Sequence, residues 1–386
     1  MSDAFLCYNA FMIIGIDASR ANKTAKTGVE WYAWHVIQEL KKLTKSDKNS
    51  WILYTNAFLQ SGLEQLPENW YETRAHWPIK KGWTQLRLSW EMWRRPSEVL
   101  FVPAHVLPRV TPKKSVVTIH DVGFHRMPQI YKPRDRAFQE WSTKDIAKRA
   151  ARIVTVTEFS GREISELYGV SSDRIAITPN GVDHDIFRPI SDGLAIDEVL
   201  KRHRLHKPFF VSIGRLEAKK NTVNLIKAFS LFKARRGVGD PVYLVLIGNP
   251  GFGYEDVKKA INESSFKEYI IQLGYVPEAD LPYIINAAEA LIHPSWYEGF
   301  GIPPVEAMAC GCPVLSSNIG ALTEVIGPDA AIYFPPGEIE AMVAAMNRII
   351  DEPGIKQKLR MAGIVRASKY NWRSTAEKTL PVLVDW

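Results

Sequence analysis

The chain predicts an α/β protein of two domains, each a doubly wound parallel sheet with helices on both faces. Three observations carry that expectation. Continuous apolar runs alternate with stretches of helical periodicity in both halves of the chain. A length of 386 residues is long for one core and natural for two. The distinctive residues Asp17, His120-Asp121, Gly214-Arg215, Gly248-Asn249 and Glu298 all follow apolar runs. They would stand at the carboxyl ends of strands, where open parallel sheets bind ligands.

In the first half, strands are expected over Met12–Asp17, Trp51–Thr55, Val99–Pro103, Val116–Asp121, Ile153–Thr157 and Ile175–Thr178. Helices are expected over Gly28–Leu43, Arg136–Arg149 and Glu158–Tyr168. The segment from Asn180-Gly181-Val182-Asp183 to Arg188-Pro189 is rich in turn formers and then turns polar, which puts a junction near 188–205. The second half repeats the pattern. Strands are expected over Phe209–Ile213, Val242–Ile247, Ile270–Leu273, Ala290–Ile292, Pro313–Ser316 and Ala331–Phe334. Helices are expected over Thr222–Arg236, Glu255–Ile261, Leu281–Ala287, Glu338–Ile350, Ile355–Ala367 and Trp372–Val384. The domains then run over 1–190 and 191–370, followed by a terminal segment, 371–386.

The densest chemical signal is Glu298-Gly-Phe-Gly-Ile-Pro-Pro-Val-Glu306. A glycine turn leads into a proline pair, and proline suits a first helical turn, where its missing N–H would have had no partner. Val305–Ala309 continues the helix and Gly311 ends it. The loop is therefore aimed at a helix N-terminus, where free amides and the positive end of the dipole seat a phosphate. Glu298 precedes that seat and Glu306 lies about one turn inside it. Carboxylates accept from hydroxyls, and a nucleotide sugar carries hydroxyls on both sides of its diphosphate.

Gly214-Arg215-Leu216-Glu217-Ala218-Lys219-Lys220-Asn221 follows a strand and opens a helix. By itself it reads as a solvated basic turn. Beside the two-glutamate run, Arg215 and Lys220 become cations for one diphosphate, a rigid fork and a mobile point charge. Val117-Thr118-Ile119-His120-Asp121 ends a strand, and a lone histidine there is ordinarily structural.

The run from Glu298 to Glu306 resembles the E-x7-E motif of retaining glycosyltransferases, the large family that includes bacterial mannosyl- and glucosyltransferases. His293-Pro294-Ser295 before it, Ala307-Met308-Ala309-Cys310-Gly311-Cys312-Pro313-Val314 after it and Gly320-Ala321-Leu322-Thr323-Glu324-Val325 extend the likeness. The resemblance implies a GT-B fold, two Rossmann-like doubly wound domains facing a cleft. Residues 1–190 would form the acceptor side, 191–370 would bind the nucleotide sugar, and the last helix would cross back onto the first domain. Arg215 and Lys220 would stabilise the departing diphosphate, with Gly214 in their turn. Glu298 would contact the donor sugar, helped by the amides of Phe300 and Gly301. The amide of Ile302 would meet the diphosphate, Glu306 the ribose, and the segment around Val276 the nucleobase. His120 would lie near sugar and acceptor, positioning and polarising rather than attacking. Asp121 and Trp31 fall on the acceptor side. The family often pairs glycines after the first strand, whereas this chain has only Gly28, preceded by Thr27. The implied donor is a GDP- or UDP-sugar, with mannose from GDP the first expectation. The implied mechanism is front-face substitution with no metal and no further cofactor.

Composition bounds the rest. The chain is 46% hydrophobic and 24% charged, as in soluble globular proteins. No apolar run reaches the length of a spanning helix. The N-terminus carries no basic leader, so no secretory signal is expected, and Met12 is a candidate start. Three cysteines (Cys7, Cys310, Cys312) fit a reducing cytoplasm. Cys310-Gly-Cys312, lacking a second pair, reads as small buried residues rather than a metal site. Asp183-His184-Asp185 reads as a turn and helix-cap device. Residues 1–188 hold 27 Lys and Arg against 20 Asp and Glu, and the remainder balances at 22 of each, so the net charge of +7 lies wholly in the first half. That surface suits an anionic partner: peripheral contact with a membrane face, beside the bland reading of a solubilising surface. No nucleic-acid module is recognisable. Trp83, Leu86, Trp90 and Trp93 recur at helical spacing beside Arg87, Arg94 and Arg95. A core helix under the Val99–Pro103 strand is expected there, with a bilayer-facing helix as the alternative. Against the transferase stand two other classes: a glycan-binding protein on the same scaffold, and a sugar-nucleotide epimerase.

Overall fold

The computed structural model describes residues 11–24, 26–79, 82–237 and 239–386. The expected tail before Met12 falls almost wholly outside them. The chain divides into two compact units. One holds residues through Val122, then Ala137–Asn180 and Trp372–Trp386; the other holds Gly123–Arg136 and Gly181–Asn371. The junction thus lies at Asn180, ahead of the expected 188–205. Residues 123–136, expected in the first domain, group with the second. Gly123 packs closely there: an added Cβ would lie 2.6 Å from the Tyr297 ring.

In the first unit β1 (Ile13–Asp17), β2 (Ser50–Thr55), β3 (Trp70–Arg74), β4 (Val99–Val102), β5 (Lys114–Thr118), β6 (Arg152–Thr155) and β7 (Ile175–Ile177) form one sheet. All pairs are parallel, in the order β3-β2-β1-β4-β5-β6-β7. The sequence pattern located every strand but β3. That strand lies at the sheet edge and buries only Trp70, so Trp-Tyr-Glu-Thr-Arg shows no continuous apolar run. β5 ends at Thr118, which leaves His120 and Asp121 beyond the strand rather than in it.

The helices through this half are α1 (Gly28–Thr44), α2 (Leu88–Arg94), the short α3 (Gly123–Arg126), α4 (Pro133–Arg149) and α5 (Glu158–Tyr168). Thr27 caps α1 and closes a capping box with Glu30. Trp83–Arg87 winds as a π-helical turn into α2. The expectation of a core helix holds for one face alone. Trp83, Leu88 and Met92 are buried, and the Trp83 indole donates to the Ala75 carbonyl at 2.8 Å. Leu86, Trp90 and Trp93 point into solvent.

In the second unit β8 (Phe209–Ile213), β9 (Tyr243–Ile247), β10 (Ile270–Gly274), β11 (Ala290–His293), β12 (Val314–Ser317) and β13 (Ala331–Phe334) pair in parallel as β10-β9-β8-β11-β12-β13. Its helices are α6 (Gly193–Arg202), α7 (Thr222–Arg236), α8 (Tyr254–Glu263), α9 (Leu281–Ala287), α10 (Ile302–Ala309), α11 (Gly320–Ile326), α12 (Ile339–Asp351) and α13 (Ile355–Ala367). Phe210, Phe229, Phe232 and Met346 centre one buried cluster between the sheet, α7 and α12. The last helix, α14 (Trp372–Val384), belongs to the first unit, where the Trp372 indole stacks on His35 at 4.5 Å.

Each sheet reverses its strand order once, between β1 and β4 and between β8 and β11. Loops leaving the two central strands diverge to opposite faces and open a crevice at their carboxyl ends. In the second unit those loops are Gly214–Asn221 and Pro294–Gly301.

Candidate active site

Glycines let the loops after β8, β9 and β10 close on one another. Gly248 has φ +139°, and an added Cβ would sit 2.0 Å from the Gly214 carbonyl oxygen. That is a backbone clash no side chain relieves. The Gly214 amide donates to Ile247 at 2.9 Å and the Gly248 amide to Gly274 at 2.7 Å. Asn221, left-handed at φ 57°, caps the far end. Its side-chain Nδ2 donates to the carbonyls of Pro294 (3.0 Å) and Pro336 (2.6 Å), clamping the β8 loop to the β11 loop.

That clamp sets Lys220 on Glu298. The Lys220 ammonium lies 2.5 Å from Glu298 Oε1. The same oxygen accepts from the Ser295 hydroxyl at 2.8 Å and faces His293 Nε2 at 3.1 Å. Since a carboxylate only accepts, His293 carries its proton on Nε2. Burial raises the Glu298 carboxyl, but Lys220, the His293 hydrogen bond and Lys219 together hold it well below the ordinary carboxylate range. Burial keeps His293 neutral, its pKa lowered despite the carboxylate beside it. The buried charge is paired and hydrogen-bonded, the condition under which such a charge persists. Oε1 is thus shared by three donors.

The expected cations separate. Lys220, not Lys219, reaches Glu298; the Lys219 ammonium lies 5.9 Å from the rings of Tyr131 and Tyr297. Arg215 is not brought to the cluster. Its side chain is 60% exposed and its one ionic neighbour among the described residues is Glu217 at 3.7 Å.

Gly301, at φ +93°, turns the chain into α10, where an added Cβ would meet Leu322 at 2.4 Å. No side chain caps this helix. Pro303 and Pro304 remove two amides from its first turn, so the donors at its mouth are those of Phe300, Gly301 and Ile302. Phe300 is buried, its ring edge-on to Tyr370 at 5.3 Å. Further along α10, burial and then the Glu278 carboxylate push Glu306 up to about 8. Without a ligand this group is mostly protonated at neutral pH, whereas the sequence suggested a plain hydroxyl acceptor. Val276 is buried just after the left-handed Gly274 and two residues before Glu278. Cys310 and Cys312 are free and buried, and burial pushes the Cys312 thiol up to about 12.

In the first unit His120 follows β5. Its backbone amide donates to His105 Nε2, and the two rings stack at 5.3 Å. His105 must therefore be neutral there. Burial lowers His120 to about 3, against the opposing pull of Asp121 and the Pro103 carbonyl. His120 is thus a neutral imidazole. Its Nε2 is shielded from water and has no hydrogen-bond partner among the described residues. Tyr32 stands edge-on to the ring at 4.7 Å. Asp17, expected at a ligand site, is instead tied to Ser19 (2.9 Å) and Thr84 (2.8 Å).

Gly28 is the exposed first residue of α1 rather than a turn glycine. Glu30 behind it binds Thr27, Arg20 and Lys23; burial opposes ionisation, yet these partners hold its carboxyl near 2. Trp31 is half-buried, with the Lys26 ammonium 5.1 Å from its ring. Asp183-His184-Asp185 forms a turn, with the Asp185 amide on the Asp183 side chain at 2.9 Å, but the cap of α6 is Asp192. Sequence reasoning missed His293, Ser295 and Asn221 as site residues. The signal was the His-Pro-Ser triplet leading into the glutamate loop, noted as a likeness and not as chemistry.

A family profile described as glycosyl transferases group 1 matches residues 197–366, and one described as glycosyltransferase family 4 matches residues 68–186. The chain is 30% identical over 295 residues to the O-antigen chain mannosyltransferase B of Escherichia coli, which spans 76% of each chain. In fold it is similar to sucrose-phosphate synthase from Thermosynechococcus elongatus, with a TM-score of 0.74 at 18% identity over 95% of this chain and 97% of that one. It is also similar to Anabaena HepE, solved in complex with UDP and glucose, with a TM-score of 0.71 at 17% identity over 97% and 100% of the two chains.

Proposed function

This chain belongs to the group 1, family 4 glycosyltransferases of GT-B fold, and on that premise we propose that it moves a hexose from a nucleoside diphosphate sugar to a glycan or lipid-linked acceptor with retention at the anomeric carbon. Mannose from GDP is the donor favoured, in keeping with the mannosyltransferase it resembles. The observation that carries the reading is the Lys220 ammonium held on Glu298 at the uncapped mouth of α10.

In this mechanism the bond from the anomeric carbon to the β-phosphate oxygen breaks as the acceptor hydroxyl closes on the same face. The departing oxygen takes the acceptor's proton. Charge growing on the diphosphate is met by Lys220 and by the amides of Gly301 and Ile302. Arg215, held only loosely by Glu217, adds a second cation on turning inward. Glu298 Oε2 accepts from a sugar hydroxyl, Glu306 meets the ribose, and the loop around Val276 takes the base. His120 Nε2 accepts from a substrate hydroxyl and polarises it. No carboxylate attacks, unlike retaining hydrolases, whose two carboxylates stand about 5 Å apart. With this charge cover the chemistry calls for neither a metal nor a further cofactor. A cytoplasmic enzyme whose basic first half meets a membrane face completes the reading.

Thermal shift with GDP, UDP and ADP and their sugars tests it, because a ligand bound to the folded state alone raises the melting temperature. GDP and GDP-mannose should give the largest shift. If no nucleotide shifts the protein, the site is misread; a product of inverted anomeric configuration would remove the front-face step.

A further inference from the structure

We propose that the first unit docks on an anionic lipid bilayer through an aromatic surface shared by α2 and α4. This names the surface for the membrane contact in the reading above, and it stands on residues apart from the donor site. Leu86, Trp90 and Trp93 are 55%, 54% and 66% exposed, and the two indoles lie 5.1 Å apart. On α4, Phe138 and Trp141 are 44% and 39% exposed, with rings 5.8 Å apart. The segment Arg109–Val110 joins the two helices. Its amides donate to the Ser89 hydroxyl on α2 at 2.7 and 3.3 Å, and the Arg109 guanidinium lies 5.3 Å from the Trp141 ring. A folded chain seldom leaves so many large apolar groups together in water without a use for them.

Charge selects the occupant. Two acids of these helices are already paired: Glu91 with Arg87 at 2.9 Å, Asp145 with Arg149 at 2.5 Å. Arg94, Arg109 and Lys144 make no ion pair with a described residue. Indoles and arginines together suit the headgroup layer, where the ring sits at the apolar boundary and the guanidinium meets phosphate. Among the described residues no helix is long and apolar enough to cross a membrane, so the contact is peripheral.

The test is flotation of the full chain with vesicles of phosphatidylcholine alone and with about a third phosphatidylglycerol. Wild type should float with the anionic vesicles, less so as salt rises. Trp90→Ser with Trp93→Ser, and separately Arg94→Glu with Arg109→Glu, should each lower partition roughly 10-fold or more. Their melting temperature and nucleotide shift should stay unchanged. Should the α2 variants melt early, Phe138→Ser with Trp141→Ser reads the same loss from the other helix. Equal binding by variants and wild type, no binding to anionic vesicles, or a dimer that the tryptophan pair abolishes would each overturn the proposal. A missing nucleotide shift in wild type that still floats would instead fault the donor reading.

Discussion

Where β8 and β11 part, the second unit gathers Lys220, Glu298, His293 and Ser295 around one oxygen atom. Where β1 and β4 part, the first unit ties Asp17 to its neighbours, and beyond β5 it holds two stacked neutral imidazoles. The order of strands about the crevice is the same and the chemistry differs. One crevice gathers a buried ion pair, and the other sets a neutral imidazole beside half-buried rings, with Glu30 held by Arg20 and Lys23 behind Gly28. Doubly wound sheets supply the crevice; the loops decide its chemistry.

The sharpest break of that contrast is Lys220→Ala. It removes the cation and strands a buried carboxylate, so turnover should fall on the order of 100- to 1000-fold, read as product formation by mass spectrometry. A cooperative melt must persist, and turnover near wild type would mean that the ion pair is only structural. His120→Asn tests the neutral side. It removes one acceptor worth about 1.5 kcal/mol, so kcat/KM should fall roughly 10-fold. The loss should not vary between pH 6 and 8, because His120 titrates near 3. A pH-dependent loss would show that the imidazole is not neutral.

Ser295→Ala leaves Lys220 and His293 on Glu298 and should cost about 1 kcal/mol, near 5-fold in kcat/KM. If it equals the Lys220 variant, the three donors act as a unit. The smallest effect is on stability. Glu306 titrates near 8 in the folded chain and near 4.5 unfolded. The folded state therefore holds its proton more tightly, and stability is lost as pH rises from about 4.5 to 8. Glu306→Gln should melt about 5 °C above wild type at pH 8.5 and close to it at pH 5, measured without nucleotide. A constant difference across that range would mean that Glu306 is already ionised.

Both sheets were legible because continuous apolar runs and helical periods are local patterns. β3 escaped because an edge strand keeps half its residues in water, and α6 because a turn-rich approach hid an amphipathic stretch capped by Asp192. Trp83–Trp93 shows the limit of periodicity: spacing announces one helical face without saying whether protein covers it. Glu298 and Glu306 stood out from the glycine and proline chemistry around them, and Lys220 through the resemblance; the structure brings Lys220 to Glu298. His293 and Ser295 did not stand out, since both are common strand-end residues until a carboxylate is placed between them.

By itself the sequence determined the two doubly wound halves, the helix opened at Ile302 and the two-glutamate spacing, all set by neighbours a few positions apart. Only the tertiary structure decided that Lys220 rather than Lys219 reaches Glu298, that Arg215 stays outside, and that Glu306 holds its proton. Those outcomes depend on burial and on partners as far as 78 residues away in the chain, and an ionisation state is a property of surroundings that only a folded chain possesses.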